Sequence, residues 1–197
     1  MLAAISHDLR TPITRMRLRA EFVEDDEQRA KMLADLEEME HMIAATLAFA
    51  RDDATREARR PVNVAALVQG LAEDMDVAYD GPDNVVLPAG PVALKRLVAN
   101  LLDNALDFTP AGGLLRFSAE TRDGRVELAL YNQGAAIPDY ALPRLTERFY
   151  SLPRPASGRK STGLGLNFVQ EVALLHGGEL ALRNVEGGVR ASLLLPI

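Results

Sequence analysis

Apolar residues recur at every third or fourth position through two stretches at the start of the chain. The first set is Ile5, Leu9, Ile13, Met16, Ala20 and Val23; the second is Met32, Leu36, Met39, Ile43, Leu47 and Ala50. That spacing puts each set on one face of an α-helix, and the second set runs close to the heptad period of a coiled coil. The acidic stretch Glu24-Asp25-Asp26-Glu27 reads as the connection between them. Two helices alone have little core. Pairing two copies of the hairpin into a four-helix bundle buries both stripes, so a homodimer is expected.

The period changes past the charged, alanine-rich stretch from Arg51 to Arg60, which Pro61 ends and which reads as a linker. It divides the chain into residues 1–60 and 61–197. In the second part Asn63 can cap a helix over Val64 to Met75, and Val85 to Leu87 reads as a short strand. Pro91 suits the first turn of a helix through Phe108. Leu114 to Glu120 and Arg125 to Tyr131 form a hairpin around Asp123-Gly124, a strong turn signal. Phe168 to Leu175 is helical, stopped by Gly177-Gly178. Glu179 to Asn184 and Val189 to Leu195 make a last hairpin around Gly187-Gly188. Strands and helices mixed in this way predict an α/β sandwich, a sheet with helices on one face.

A net charge of −6 argues against a nucleic-acid partner, because a phosphate backbone demands a surplus of Lys and Arg. The chain has no cysteine, which excludes disulfides and thiolate metal sites. No apolar run approaches the roughly 18 residues that span a bilayer, and the first residues lack a cleavable leader.

Two groups of residues carry chemistry. In Ser6-His7-Asp8-Leu9-Arg10-Thr11-Pro12 the apolar stripe takes Leu9, so His7 points outward, with Thr11 on its face and Asp8 beside it. An imidazole next to a carboxylate can act as a nucleophile; a lone histidine on a helix is more often just a solvated side chain. Pro12 inside the helix predicts a kink. The second group starts with Asn100 and Asn104, stacked four apart on a helix, where two inward amides need polar partners. A hydrated cation with a polyphosphate would supply them, and so would local backbone. Farther on, Gly163-Leu164-Gly165-Leu166 leads into a helix, where glycines let backbone N–H groups approach phosphate.

Ile5 to Pro12 resembles the phosphoacceptor box of sensor histidine kinases. Asn100-Leu101-Leu102-Asp103-Asn104-Ala105 resembles the N-box of the associated ATPase domain, and Asn132-Gln133-Gly134-Ala135-Ala136-Ile137-Pro138 its first glycine box. Glu147-Arg148-Phe149-Tyr150 resembles the F-box, and Gly163 to Leu166 the second glycine box. The order and separation of all five carry the resemblance over nearly the whole chain. The first half is similar to EnvZ-like osmosensor kinases. From Asn100 onward, Leu106 to Pro110 and Arg148 to Arg154 resemble CreC-like kinases, so the two halves resemble different subfamilies, as they would in a chimera.

The resemblance implies a dimerisation and histidine phosphotransfer domain followed by an ATP-binding domain of the Bergerat (GHKL) fold. It implies that His7 is phosphorylated from ATP, with Asp8 as general base and Thr11 positioning water for dephosphorylation of the partner. That partner would be the receiver domain of a response regulator, which accepts the phosphoryl group on an aspartate. Asn104 would bind Mg²⁺ and Asn100 would support the phosphates. Asp107, Phe108, Asn132, Gly134, Ala136, Ile137, Tyr150, Thr162, Gly163, Leu164, Gly165 and Leu166 would line the nucleotide site. Ser151 to Thr162 would be a mobile lid offering Arg159 and Lys160 to the terminal phosphate. Met1 stands six residues before His7, which suggests a truncated cytoplasmic piece of an inner-membrane kinase.

Four residues depart from the pattern. Asn132 stands where the first glycine box begins with Asp, and Ala136 replaces that box's second glycine. Asp107 stands where many relatives carry a base, and Ser151 where an Arg often follows the F-box tyrosine. The amide of Asn132 raises the alternative of a nucleotide-weak pseudokinase acting as phosphatase or scaffold.

Overall fold

The computed structural model describes residues 2–51, 57–156, 158 and 160–197, without the side chains of 2–10, 38, 41, 42 and 44–51. The chain divides into two compact units, Met1–Asp52 and Asp53–Ile197, a boundary somewhat earlier than residue 60.

The first unit is a hairpin of α1 (Leu2–Ala20) and α2 (Asp26–Arg51). Helix α1 continues through Pro12. Asp25 caps α2, its carboxylate accepting from the Glu27 and Gln28 N–H groups at 2.9 and 3.0 Å. Asp26 and Glu27 then sit in the first turn, where the helix dipole favours acids. The acidic run is therefore the end of the connection and the start of the helix. Ile13, Ala20 and Leu36 are buried between the helices, with Leu33 and Ile43 packed on them.

The second unit holds a five-stranded sheet in the order β2-β4-β5-β7-β6, antiparallel except for β2 with β4. The strands are β2 (Ala78–Asp80), β4 (Leu115–Arg122), β5 (Arg125–Gln133), β6 (Glu179–Val185) and β7 (Gly188–Pro196). A separate ribbon pairs β1 (Arg60–Asn63) with β3 (Val86–Ala89). The helices are α3 (Val64–Asp74), α4 (Pro91–Phe108) and α5 (Gly165–Leu175). Residues paired across strands share a face. The register therefore builds one apolar face from rows such as Phe117–Leu130–Ala191 and Ala119–Leu128–Leu193, all buried. Leu94, Leu97, Val98, Leu101 and Leu102 of α4 are buried at helical spacing. Each such fully buried leucine contributes about 1.5–3 kcal/mol.

The Asp123-Gly124 turn has both residues at positive φ, 51° and 73°, as a type I′ hairpin turn requires. The last hairpin turns on Glu186-Gly187, one residue earlier than the sequence suggested. Gly188 already pairs with Val185 and Gln133, and a Cβ there would lie 2.2 Å from the Asn132 carbonyl. The stretch read as linker is bonded into this unit at its end. Glu57 accepts from the Val92 and Ala93 N–H groups at 3.1 and 3.0 Å, capping α4, and Arg59 donates to the Leu175 carbonyl at the end of α5.

Candidate nucleotide site

A cavity of about 220 Å³ opens where the apolar sheet face meets α4, the start of α5 and the segment around Tyr150 to Thr162. Leu130, Leu182, Val189 and Ala191 form an apolar wall, joined by Ile137 and Leu145. Such a wall suits a flat, apolar ring system.

Helix α4 supplies the polar side. Its buried residues face the sheet, which leaves Asn100 and Asn104 at the border, half-buried and four apart. Asn100 Nδ2 donates to the Arg96 carbonyl at 2.8 Å, so local backbone satisfies half of that amide. Its Oδ1 looks toward Gly165, where a Cβ would stand only 3.1 Å away. Among the described residues the Asn104 amide has no hydrogen-bond partner. Asp103 and Asp107 form a second row. The Asp103 carboxyl is pushed above the usual range by burial and then by the charge of Asp107. Asp107 is paired with Arg154 at 2.7 Å, and Arg154 Nε is buried without a hydrogen-bond partner among the described residues. The departure at 107 thus comes with a base in the lid that answers it.

The two ends of the stretch read from sequence as a lid are tied together. The Phe149 N–H donates to the Gly163 carbonyl at 3.2 Å, and Ser151 Oγ donates to the Ser161 carbonyl at 2.9 Å. Gly163 has φ +65°, and a Cβ there would lie 2.6 Å from the Tyr150 nitrogen. Only glycine fits both constraints. Opposite it Phe149 takes φ 64°, an uncommon conformation for an aromatic residue. The Arg144 guanidinium stacks 4.2 Å from the Tyr150 ring centre and steadies this neck.

Asn132 closes the far end. It is 8% exposed and sits in the last row of the core face, between Leu115 and Val189. Its side-chain amide has no partner among the described residues.

Of the residues named from sequence, the cavity brings together Asn100, Asn104, Asp107, Phe108, Asn132, Ile137, Tyr150, Thr162, Gly163, Gly165 and Leu166. Gly134, Ala136, Lys160 and Leu164 are not in its lining. Leu164 is buried in the core, whereas Lys160 and Ala136 are exposed. Arg159 and the side chains of His7 and Asp8 lie outside the described residues; Thr11 is exposed on α1. The apolar wall escaped the motif reading because Leu130, Leu182, Val189 and Ala191 come from three separate strands.

The donor set fits an adenine nucleotide with Mg²⁺. Among the described residues no three His, Cys, Asp or Glu gather for a metal. Among the described residues, no helix is long and apolar enough to cross a membrane.

Residues 89–197 match the family "Histidine kinase-, DNA gyrase B-, and HSP90-like ATPase", and residues 1–55 match "His Kinase A (phospho-acceptor) domain". The chain is 42% identical to sensor protein CreC of Escherichia coli over 98% of its own length and 44% of that protein's. It thus spans less than half of that relative. One relative covers both halves, so their different likenesses do not need two parents. The structure of full-length ShkA in complex with AMPPNP matches 99% of this chain and 45% of that one, with a TM-score of 0.67 at 25% identity. Histidine kinase ThkA in complex with response regulator protein TrrA shares the fold, with a TM-score of 0.66 at 18% identity over 98% of this chain and 60% of that one.

Proposed function

We infer the reaction from the family: this chain belongs to the sensor histidine kinases, with their phosphoacceptor domain joined to their ATPase domain. We propose that it phosphorylates His7 from ATP and passes the phosphoryl group to an aspartate of a response-regulator receiver domain. The observation that carries the nucleotide half is the cavity, lined by an apolar wall, by the Asn104 amide and by Asn100, whose Oδ1 faces Gly165.

In the first step a ring nitrogen of His7 attacks the γ-phosphorus, the bond to the bridging oxygen breaks, and ADP leaves. Asp8 takes the proton from the other ring nitrogen, so the phosphoramidate forms without a charged imidazolium. In the second step a receiver carboxylate oxygen attacks phosphorus, the P–N bond breaks, and the ring regains the proton from Asp8 and leaves as neutral imidazole. Thr11 orients water for the hydrolysis that returns the regulator to its resting form. Mg²⁺ held at Asn104 would neutralise phosphate charge. Purified chain, γ-labelled ATP and Mg²⁺ test the first step: acid-labile label on the protein supports it, and none after prolonged incubation with saturating ATP refutes it.

The Asp107–Arg154 pair gives a second expectation. Both partners are about one-third exposed, so the pair is worth little in stability, but it holds one acid near the phosphates. Asp107→Asn should tighten ADP binding by roughly three- to tenfold at low salt, with the gain shrinking as ionic strength rises. Calorimetry at two salt concentrations measures it; weaker binding would mean that Asp107 serves the nucleotide directly.

A homodimer through the hairpin is the third. Within one hairpin Met16, Met32 and Met39, on the same stripes as Ile13 and Leu36, stay 37%, 42% and 40% exposed, apolar surface that the buried cluster does not cover. Met32→Lys with Met39→Lys should give monomers by light scattering while leaving helicity intact. Leu36 and Ile43 are unsuitable targets, because they hold the hairpin itself together. A wild-type monomer at tens of micromolar would refute the dimer (a concentration scale only,).

A further inference from the structure

The segment after β5 lines the cavity through Ala135 and Ile137, yet it has no strand partner of its own. It also carries Ala136 where a second glycine would have eased its path. Something else must fix its course.

Asn184 does so. It is the penultimate residue of β6 and pairs with Val189, which pairs with Asn132. Asn184 and Asn132 therefore stand in one row on one face of the sheet. From there the Asn184 side chain crosses to the segment. Its Oδ1 accepts from the Ile137 N–H and its Nδ2 donates to the Ile137 carbonyl, both at 2.8 Å. One amide thus meets both backbone groups of one residue, as a neighbouring strand would. Near the start of the segment, the Gly134 N–H donates to the Gly187 carbonyl at 3.2 Å. The β6–β7 hairpin end holds the segment at two points, and the Asn184 point sets the residue that reaches the cavity.

We propose that Asn184 is a positioning residue for nucleotide recognition, fixing Ile137 and the backbone around it against the base-binding end of the cavity. This rests on the nucleotide reading above and adds to it a residue that touches no ligand. The site recognises the base through this segment and the phosphates through α4 and the lid. A loosened segment should therefore weaken binding of adenine nucleotides and spare binding of a bare polyphosphate.

The test uses the whole chain with Asn184→Ala, and Glu186→Ala in the adjoining turn as control. Asn184 is exposed, so the variant should fold, and its melting transition verifies that. In nucleotide-free protein, amide hydrogen exchange at Ile137 should accelerate in Asn184→Ala and not in Glu186→Ala. By calorimetry ADP should bind roughly three- to tenfold more weakly to Asn184→Ala, the scale of one or two lost hydrogen bonds. Inorganic tripolyphosphate should bind both variants as it binds the unaltered chain. Unchanged Ile137 exchange, or unchanged ADP affinity despite faster exchange, overturns the inference. Equal weakening of ADP and tripolyphosphate also overturns it, because the effect would then be a general loss of structure. Failure of the unaltered chain to bind ADP at all would instead remove the nucleotide reading, and this inference with it.

Discussion

His7→Gln should abolish the acid-labile, base-stable label acquired from γ-labelled ATP, while ADP binding should stay nearly unchanged. Glutamine keeps a polar side chain of similar reach but offers no nucleophilic ring nitrogen, so the loss should be complete. The described lining of the cavity comes from the second unit. That is why binding and labelling should part company in this variant. Asp8→Asn should retain the nucleophile and lose the proton acceptor, slowing labelling by roughly 10²–10⁴-fold, the usual contribution of general base catalysis. Label persisting in His7→Gln would point to another acceptor and remove the proposed first step.

Asn132→Asp should tighten ADP binding by roughly ten- to a hundredfold. An adenine edge presents an amino donor beside a ring acceptor, and a carboxylate accepts from the amino group and from a bridging water. The Asn132 NH₂ offers a donor where that network needs an acceptor. A mispaired buried polar group costs about 1–3 kcal/mol, which converts to that range of affinity. The surroundings support the estimate, since Asn132 is 8% exposed and no described side chain pairs with its amide. The same burial penalises the charged replacement when nucleotide is absent. The variant should therefore melt lower than the parent when free and regain stability on adding ADP. Tripolyphosphate should bind both forms equally. Equal ADP affinity would show that the pocket accommodates the amide, and the pseudokinase alternative would lose its support.

Much of this arrangement was legible in the sequence because it is local. Helical spacing marks α1 and α2, Pro91 marks the start of α4, Asn63 caps α3 by accepting from the Ala66 N–H, and Asp123-Gly124 marks its turn. Strands β1 and β2 were missed because three or four residues are too few to show alternation, and β1 includes Pro61, which reads as a breaker. The site divides in the same way. Asn100 and Asn104 announce themselves by being four apart on one helix. The Asp107–Arg154 pair and the Asn184–Ile137 clamp join residues 47 positions apart, and no local pattern encodes such a meeting. The second glycine box reads from sequence as a turn suited to phosphate. Its first glycine also has a steric duty at the lid's neck, visible only once Tyr150 is placed beside it.

That neck has a thermodynamic consequence. With Phe149 tied to Gly163, the stretch between them is a closed loop whose ends are already brought together, so its ordering is decoupled from its closure. The entropy of closing a flexible loop grows only logarithmically with its length, about 0.6 kcal/mol for each doubling. The lid can therefore gain or lose residues with little effect on the stability of the sheet and helices beneath it. Length in this stretch is thus free to vary, while the fold is left almost indifferent to the choice.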